Sequence, residues 1–322
     1  MNKPNIFKLI PWAVFVILAI FIFFNFQLIE DTIKSMSYTP TPEMQEIQTK
    51  LNLTKTGERI FKASSPVLSE ADEFNVECQS TNEEISTLGC FNGEKIFIYN
   101  ITEKKFEGIR ESTTAHELLH AYWARFSENE KNELTPILEN FAENADKKFK
   151  DSLETYQTSQ RLEEIFVRSG TQVRDLPDEL EEIFENVFID QDAIVNFYDS
   201  YSTPFDEINK ELKNLSAEMS SLNEQITNET AEYEEYSRIL SGEIDEYNNC
   251  VTTYGCFPSR ESADARRLEL EAKQSYSETL YEALSNDIDR YNQLVETYNK
   301  KVVYGRKLDT IINSNKQPEE LE

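Results

Sequence analysis

Residues Gly108 to Phe126 read GIRESTTAHELLHAYWARF, and the rest of the chain is arranged around that stretch. No Gly or Pro interrupts Ile109 to Phe126, and Ala115, Leu118, Leu119, Ala121 and Tyr122 give it the apolar flanks of a buried helix. Inside it lies His116-Glu117-Leu118-Leu119-His120, of the form HExxH. Side chains four apart on a helix project from one face, so the two imidazoles can converge on a zinc ion. Glu117 is then placed to reach a water polarised by the ion and to take its proton as the water attacks a scissile carbonyl. The bland alternative, a metal-free His pair in a core, needs two separate hydrogen-bond partners for the rings. The 322 residues contain only 2 His, both in this motif, so a third protein ligand has to be a carboxylate. Glu139 and Glu164 are the candidates.

Upstream, Gly93-Glu94-Lys95 leads into Ile96 to Ile101, a β-branched and aromatic run that predicts a strand. Downstream, Ser127 with Glu130 is a capping-box pattern. Further helices are expected over Gln157 to Arg168, stopped by Gly170, and over Pro177 to Phe188, with Asp178 and Glu179 at its dipole-favoured start. This domain spans 43–203, because Pro204 interrupts the pattern and a new periodicity follows. Ile208, Leu212, Leu215, Met219, Leu222 and Ile226 make a heptad seam, and Tyr281, Leu284, Ile288, Tyr291, Val295, Tyr298 and Val302 make a second. Between them lies Cys250-Val-Thr-Thr-Tyr-Gly-Cys256, a compact turn. The expectation for 204–313 is an antiparallel coiled-coil hairpin with arms of roughly 60 Å, a possible docking arm for a protein partner, with an acidic disordered tail at 314–322.

At the other end, Leu9 to Ile29 is a 21-residue run without a charge, long enough to span a bilayer. Lys3 and Lys8 precede it, while Glu30 and Asp31 follow. The positive-inside bias therefore puts residues 1–8 in the cytoplasm and the bulk outside a cell membrane crossed once. The Thr39-Pro-Thr-Pro42 stretch predicts an extended stalk over 30–42. Four Cys fit an oxidising compartment as two local disulfides, Cys78 with Cys90 and Cys250 with Cys256. Sequons at Asn52, Asn100, Asn214 and Asn228 matter only in a eukaryotic secretory route. With 32 Lys and Arg against 60 Asp and Glu, the net charge of −28 argues against a nucleic-acid partner. Eight Gly and ten Pro are few for a turn-rich all-β chain, so helix should dominate.

Two resemblances sharpen the site. Glu139 lies 19 residues after His120, which resembles the HExxH-x18-E spacing of thermolysin-like and aminopeptidase gluzincins. Leu88-Gly89-Cys90, Ile96 to Asn100, Ala115 to Ala121 and Gly170-Thr171 together resemble a group of membrane-anchored bacterial proteins of unassigned function. Those carry an Ala-His-Glu-x-Leu-His-Ala segment and, after it, Glu-Leu-His-x3-Gly-Thr. That resemblance covers about half the chain and puts Glu164 at the third ligand position. Here Phe166 stands where the pattern has His, and no Asp follows Glu164 four residues on, the place from which thermolysin-like enzymes orient a ligand His.

The expected fold class is α+β, mainly α: a zincin-like catalytic domain with a small sheet, a helical hairpin and one transmembrane helix. The expected function is a membrane-anchored, extracytoplasmic zinc metallopeptidase acting on a peptide or protein substrate. His116, His120 and Glu164 hold zinc and Glu117 is the base. By resemblance to zincins, Ile96 to Ile101 would be the edge that pairs with substrate. Tyr156, Arg168, Arg174, Tyr198 and Tyr201 are all in sequence range as oxyanion donor. The rival reading is a non-catalytic envelope scaffold that works through its coiled-coil arm and keeps a structural or inactive zinc site.

Overall fold

A computed structural model describes residues 15–16, 19–22, 24–78, 88–154, 156 and 158–315. The chain is mainly helical and divides into two units, one comprising residues to Pro204 with the segment from Leu308, the other Phe205–Lys307. The first contains one three-stranded sheet, made of β1 (Val67–Ser69), β2 (Gly89–Phe91) and β3 (Ile96–Tyr99) in the order β1-β3-β2. β1 runs parallel to β3, and β2 runs antiparallel to it with Cys90 opposite Phe97. The β2–β3 turn is tight: Gly93 takes φ +89°, and the Asn92 side-chain oxygen accepts from the backbone N–H of Glu94 and Lys95. The strand expected at Ile96 to Ile101 therefore exists but lies in the middle of the sheet. Both of its edges are already hydrogen-bonded, so it cannot be the edge that takes a substrate strand.

Seven helices of this unit precede and surround the motif: α1 (Phe26–Ser37), α2 (Pro42–Leu51), α3 (Lys55–Ala63), α4 (Ala71–Glu77), α5 (Ile109–Trp123), α6 (Glu128–Asn144) and α7 (Lys147–Ser152). α5 carries HExxH and is buried almost all round, packed on β2 and β3 and against α2, α3 and α8 (Thr158–Gln172). Burial on every side is what its apolar flanks predict. α6 begins with the full capping box of Ser127 and Glu130. α8 does not stop at Gly170. A Cβ there would sit 2.6 Å from both Leu119 Cδ1 and Phe184 Cε1, so this glycine marks the close approach of α8 to α5 and to α9 (Asp178–Phe184). Its missing side chain serves interhelical contact rather than helix termination.

The stalk is not observed either. α1 occupies most of 30–42, docks against α3, and buries Asp31, whose two carboxylate oxygens accept from Arg125 at 2.7 and 2.8 Å. The Thr-Pro-Thr-Pro segment is a capped helix start: Pro42 occupies the first turn of α2, where its missing N–H costs nothing, and the Met44 N–H donates to Thr41 Oγ1. The folded unit thus starts well before residue 43. Of the tail, Ser314 is buried and exchanges hydrogen bonds with Asn75 at 2.6 and 2.9 Å; residues 316–322 lie outside the described residues. So do residues 9–14, 17, 18 and 23 of the expected span at 9–29, and among the described residues no helix is long and apolar enough to cross a membrane.

The second unit takes in most of α10 (Gln191–Thr252) and of α11 (Arg260–Ile312), their parts within Phe205–Lys307. α10 runs through Pro204 without a break, at the loss of one backbone hydrogen bond, so the proline does not end a helix here. Leu222, Leu240, Leu270 and Leu284 fill the seam. The arms are antiparallel, as the pairs Glu218–Arg290, Tyr236–Lys273 and Glu243–Lys273 require. Disulfides join Cys78 to Cys90 and, at the turn of the hairpin, Cys250 to Cys256.

Candidate metal centre

The four-residue spacing on α5 places His116 Nε2 3.3 Å from His120 Nε2. α8 crosses beneath them and brings Glu164 Oε1 to 3.4 Å from His120 Nε2, with Oε2 4.0 Å from His116 Nε2. Three side chains from two helices thus converge. Among the described residues, no other group of three His, Cys, Asp or Glu donors gathers in this way. Glu139 lies on the exposed face of α6 and is not part of the group. Phe166, the departure from the bacterial pattern, is fully buried against Trp123, Phe126 and Phe184, with ring centroids 5.0 to 5.6 Å apart. It anchors α8 to α5 through the core.

The donor set suits a zinc-sized ion. Tetrahedral bonds of about 2.0–2.1 Å to N and O need donor separations of about 3.3 Å. Two of the edges have about this length, and the third, from His116 to the carboxylate, is longer at 4.0 Å. Two imidazoles with one carboxylate leave a fourth position for a water or substrate atom.

The surroundings hold His116 and Glu164 in ligand form, while His120 is held with a proton. Burial pushes the His116 imidazole down to about 3, against the opposing pull of Glu164, so it is neutral at ordinary pH. For Glu164, burial would raise the carboxyl. The hydrogen bond with His120 and the Arg168 guanidinium outweigh it and bring the group to about 2. Burial would likewise lower His120, but hydrogen bonds to Glu163 and Glu164 and the charge of Glu117 carry it well above its ordinary value. A divalent cation would compete with that proton directly.

Glu163, which spacing did not single out, and Arg168, one of the candidate donors, complete the arrangement. Glu163 Oε1 lies 2.7 Å from His120 Nδ1. Arg168 donates from Nε to Glu164 Oε2 at 3.0 Å and from Nη2 to the Tyr156 hydroxyl at 2.7 Å, with its guanidinium over the Tyr156 ring. The Glu164–Arg168 pairing was visible in principle, being an i, i+4 acid–base spacing on a helix. Of the other donor candidates, Arg174 is held by Asn196 and Asp199 on an exposed face, and Tyr198 and Tyr201 stack edge to face. Arg168 is the candidate in contact with the ligand group, and Tyr156 contacts Arg168.

Glu117 is buried one residue beyond His116 and faces β2. A Cβ on Gly89 would lie 2.6 Å from Thr113 Cγ2 and 2.8 Å from Glu117 Cγ, so only glycine lets the strand approach α5 this closely. The antiparallel edge strand therefore passes directly beside this carboxylate.

The chain matches no known protein family, no curated protein and no solved structure. The functional reading rests on the geometry itself and on the motif residues quoted above.

Proposed function

We propose that the protein is an extracytoplasmic zinc metallopeptidase of gluzincin type, anchored by residues 9–29 and zincin-like in its catalytic unit. The observation that carries this reading is the convergence of His116, His120 and Glu164 on one point, with Glu117 one residue past the first ligand on the same helix. Zinc, when bound, would supply a Lewis acid for a scissile carbonyl and lower the pKa of a water. The chain's own residues do the rest. His116, His120 and Glu164 hold the ion; Glu117 accepts the proton of the attacking water and returns it to the leaving amine.

Arg168 occupies Glu164 Oε2, leaving Oε1 to face His120. An extended peptide would lie along β2 rather than β3, because β2 is the edge next to Glu117 and an added strand gains backbone hydrogen bonds there. Two disulfides support an oxidising, extracytoplasmic location.

The test is zinc content and peptide hydrolysis by the purified full chain in detergent. The wild type should hold one zinc per chain and cleave an unstructured protein substrate. Glu117→Gln should keep the zinc and lose at least 100-fold in rate, about the contribution of a general base. Equal zinc with no hydrolysis by the wild type would point to the scaffold reading. Absence of stoichiometric zinc, or zinc retention by His116→Ala equal to wild type, would end the metal reading.

A further inference from the structure

We infer that Glu163 is the positioning residue that makes His120 a ligand through Nε2, an inference that rests on the metal reading above. The Glu163 oxygen lies 2.7 Å from Nδ1, where a carboxylate accepts the ring N–H, so this contact assigns the ring proton to Nδ1. With Nδ1 engaged by Glu163, the nitrogen left to a metal that displaces the other proton is Nε2, which faces His116 and Glu164. Consecutive helix residues diverge by about 100°, and one of an acidic pair ordinarily points to solvent. Here both grip the same imidazole, Glu163 at one nitrogen and Glu164 at the other. Glu163 is not itself a fourth ligand. Its oxygen sits on the opposite ring nitrogen from the point where the donors converge, and it is not among the residues whose ligand atoms gather there.

The position four residues after Glu164 holds Arg168, which grips the ligand carboxylate instead of a ligand histidine. α8 therefore supplies the third ligand, its counter-charge and the orienting partner of the second ligand within six residues, 163–168. No such partner meets Nδ1 of His116 among the described residues, and that ring keeps about a fifth of its side chain exposed. The histidines are inequivalent: His120 is locked and His116 closes the set.

The experiment is competition for zinc between the full chain in detergent and a chromophoric chelator, with histidine 15N NMR of the zinc form. Glu163→Ala should weaken zinc binding by about 10- to 100-fold, the usual effect of removing such a partner. Its helix content should stay unchanged. Glu163→Gln keeps an acceptor oxygen and should lose less, giving the order wild type, Gln, Ala. In the wild type, His120 should carry its proton on Nδ1 and bind through Nε2. Zinc affinity of Glu163→Ala equal to a stoichiometrically loaded wild type would overturn the inference and leave the metal reading intact. So would an Nδ1-bound His120, which is read on the wild type and does not depend on a variant folding. A wild type that binds no zinc would remove both.

Discussion

Replacing Asp31 by Ala tests whether α1 belongs to the folded unit. Asp31 is almost fully buried, and the Arg125 guanidinium it holds keeps only 14% of its side chain exposed. Removing one partner of a buried ion pair costs about 3–5 kcal/mol, because the other charge stays desolvated. Arg125 retains the Ala121 carbonyl as an acceptor and some water access, so the lower end, about 3 kcal/mol, is the expected loss. That is about two orders of magnitude in the unfolding equilibrium. For a unit of roughly 200 residues it corresponds to a melting temperature lower by about 6–12 °C.

The assay is the fluorescence of Trp123, which is buried two residues before Arg125. The other tryptophan, Trp12, is first replaced by Phe to give a single reporter. The double variant Asp31→Leu with Arg125→Met should recover most of the loss, since an apolar pair can replace an ion pair at little cost. A single-variant shift below about 2 °C, or a double variant no better than the single, would refute the reasoning.

Gly170→Ala should gain about 1 kcal/mol of helix propensity but lose about 2–3 kcal/mol to overpacking against Leu119 and Phe184, for a net loss of about 1–2 kcal/mol in urea unfolding and weaker zinc binding. In the presence of a chelator, stability should fall as pH drops from about 6.5 toward 3, because unfolded His116 takes up a proton that the buried ring refuses. Glu164 adds stability above its ordinary value that is lost as pH falls through about 2, while raised His120 contributes with the opposite sign, its share lost as pH rises. Urea midpoints across pH for wild type, His116→Gln and Glu164→Gln check each window. Replacing Cys250 and Cys256 by Ser should remove about 2 kcal/mol of loop-closure stabilisation. Hydrogen exchange should speed up near 245–265 without change in zinc affinity.

What could be read from the chain depended on the range over which each signal acts. The HExxH helix and the two heptad arms were legible because their periodicities are local. The third candidate ligand needed a second helix, so spacing alone left Glu139 and Glu164 open, and burial separates them. β1 and β2 are three residues each, too short to carry an alternation pattern, so nothing local could say that β3 would be central. The docking of α1 was hidden for the same reason, its decisive partner lying 94 residues away. Gly170 misled because a glycine that ends a helix and one that admits a neighbouring helix look alike until the neighbour is known. Glu163 beside Glu164 reads as a solvated acidic face, and only the placement of His120 between them gives it a task.

The docked α1 also bears on where substrates can be met. It begins at Phe26, inside the last residues of the proposed anchor, and is bolted to the end of the α5 helix by Asp31 and Arg125. An anchor joined this way has no leash. The catalytic unit would ride at a set height above the lipid instead of sweeping a hemisphere on a flexible tether. Under the proposed function its cutting range would then be a thin layer next to the membrane, and inserting a flexible linker after Ile29, within α1, would break the domain before it extended the reach.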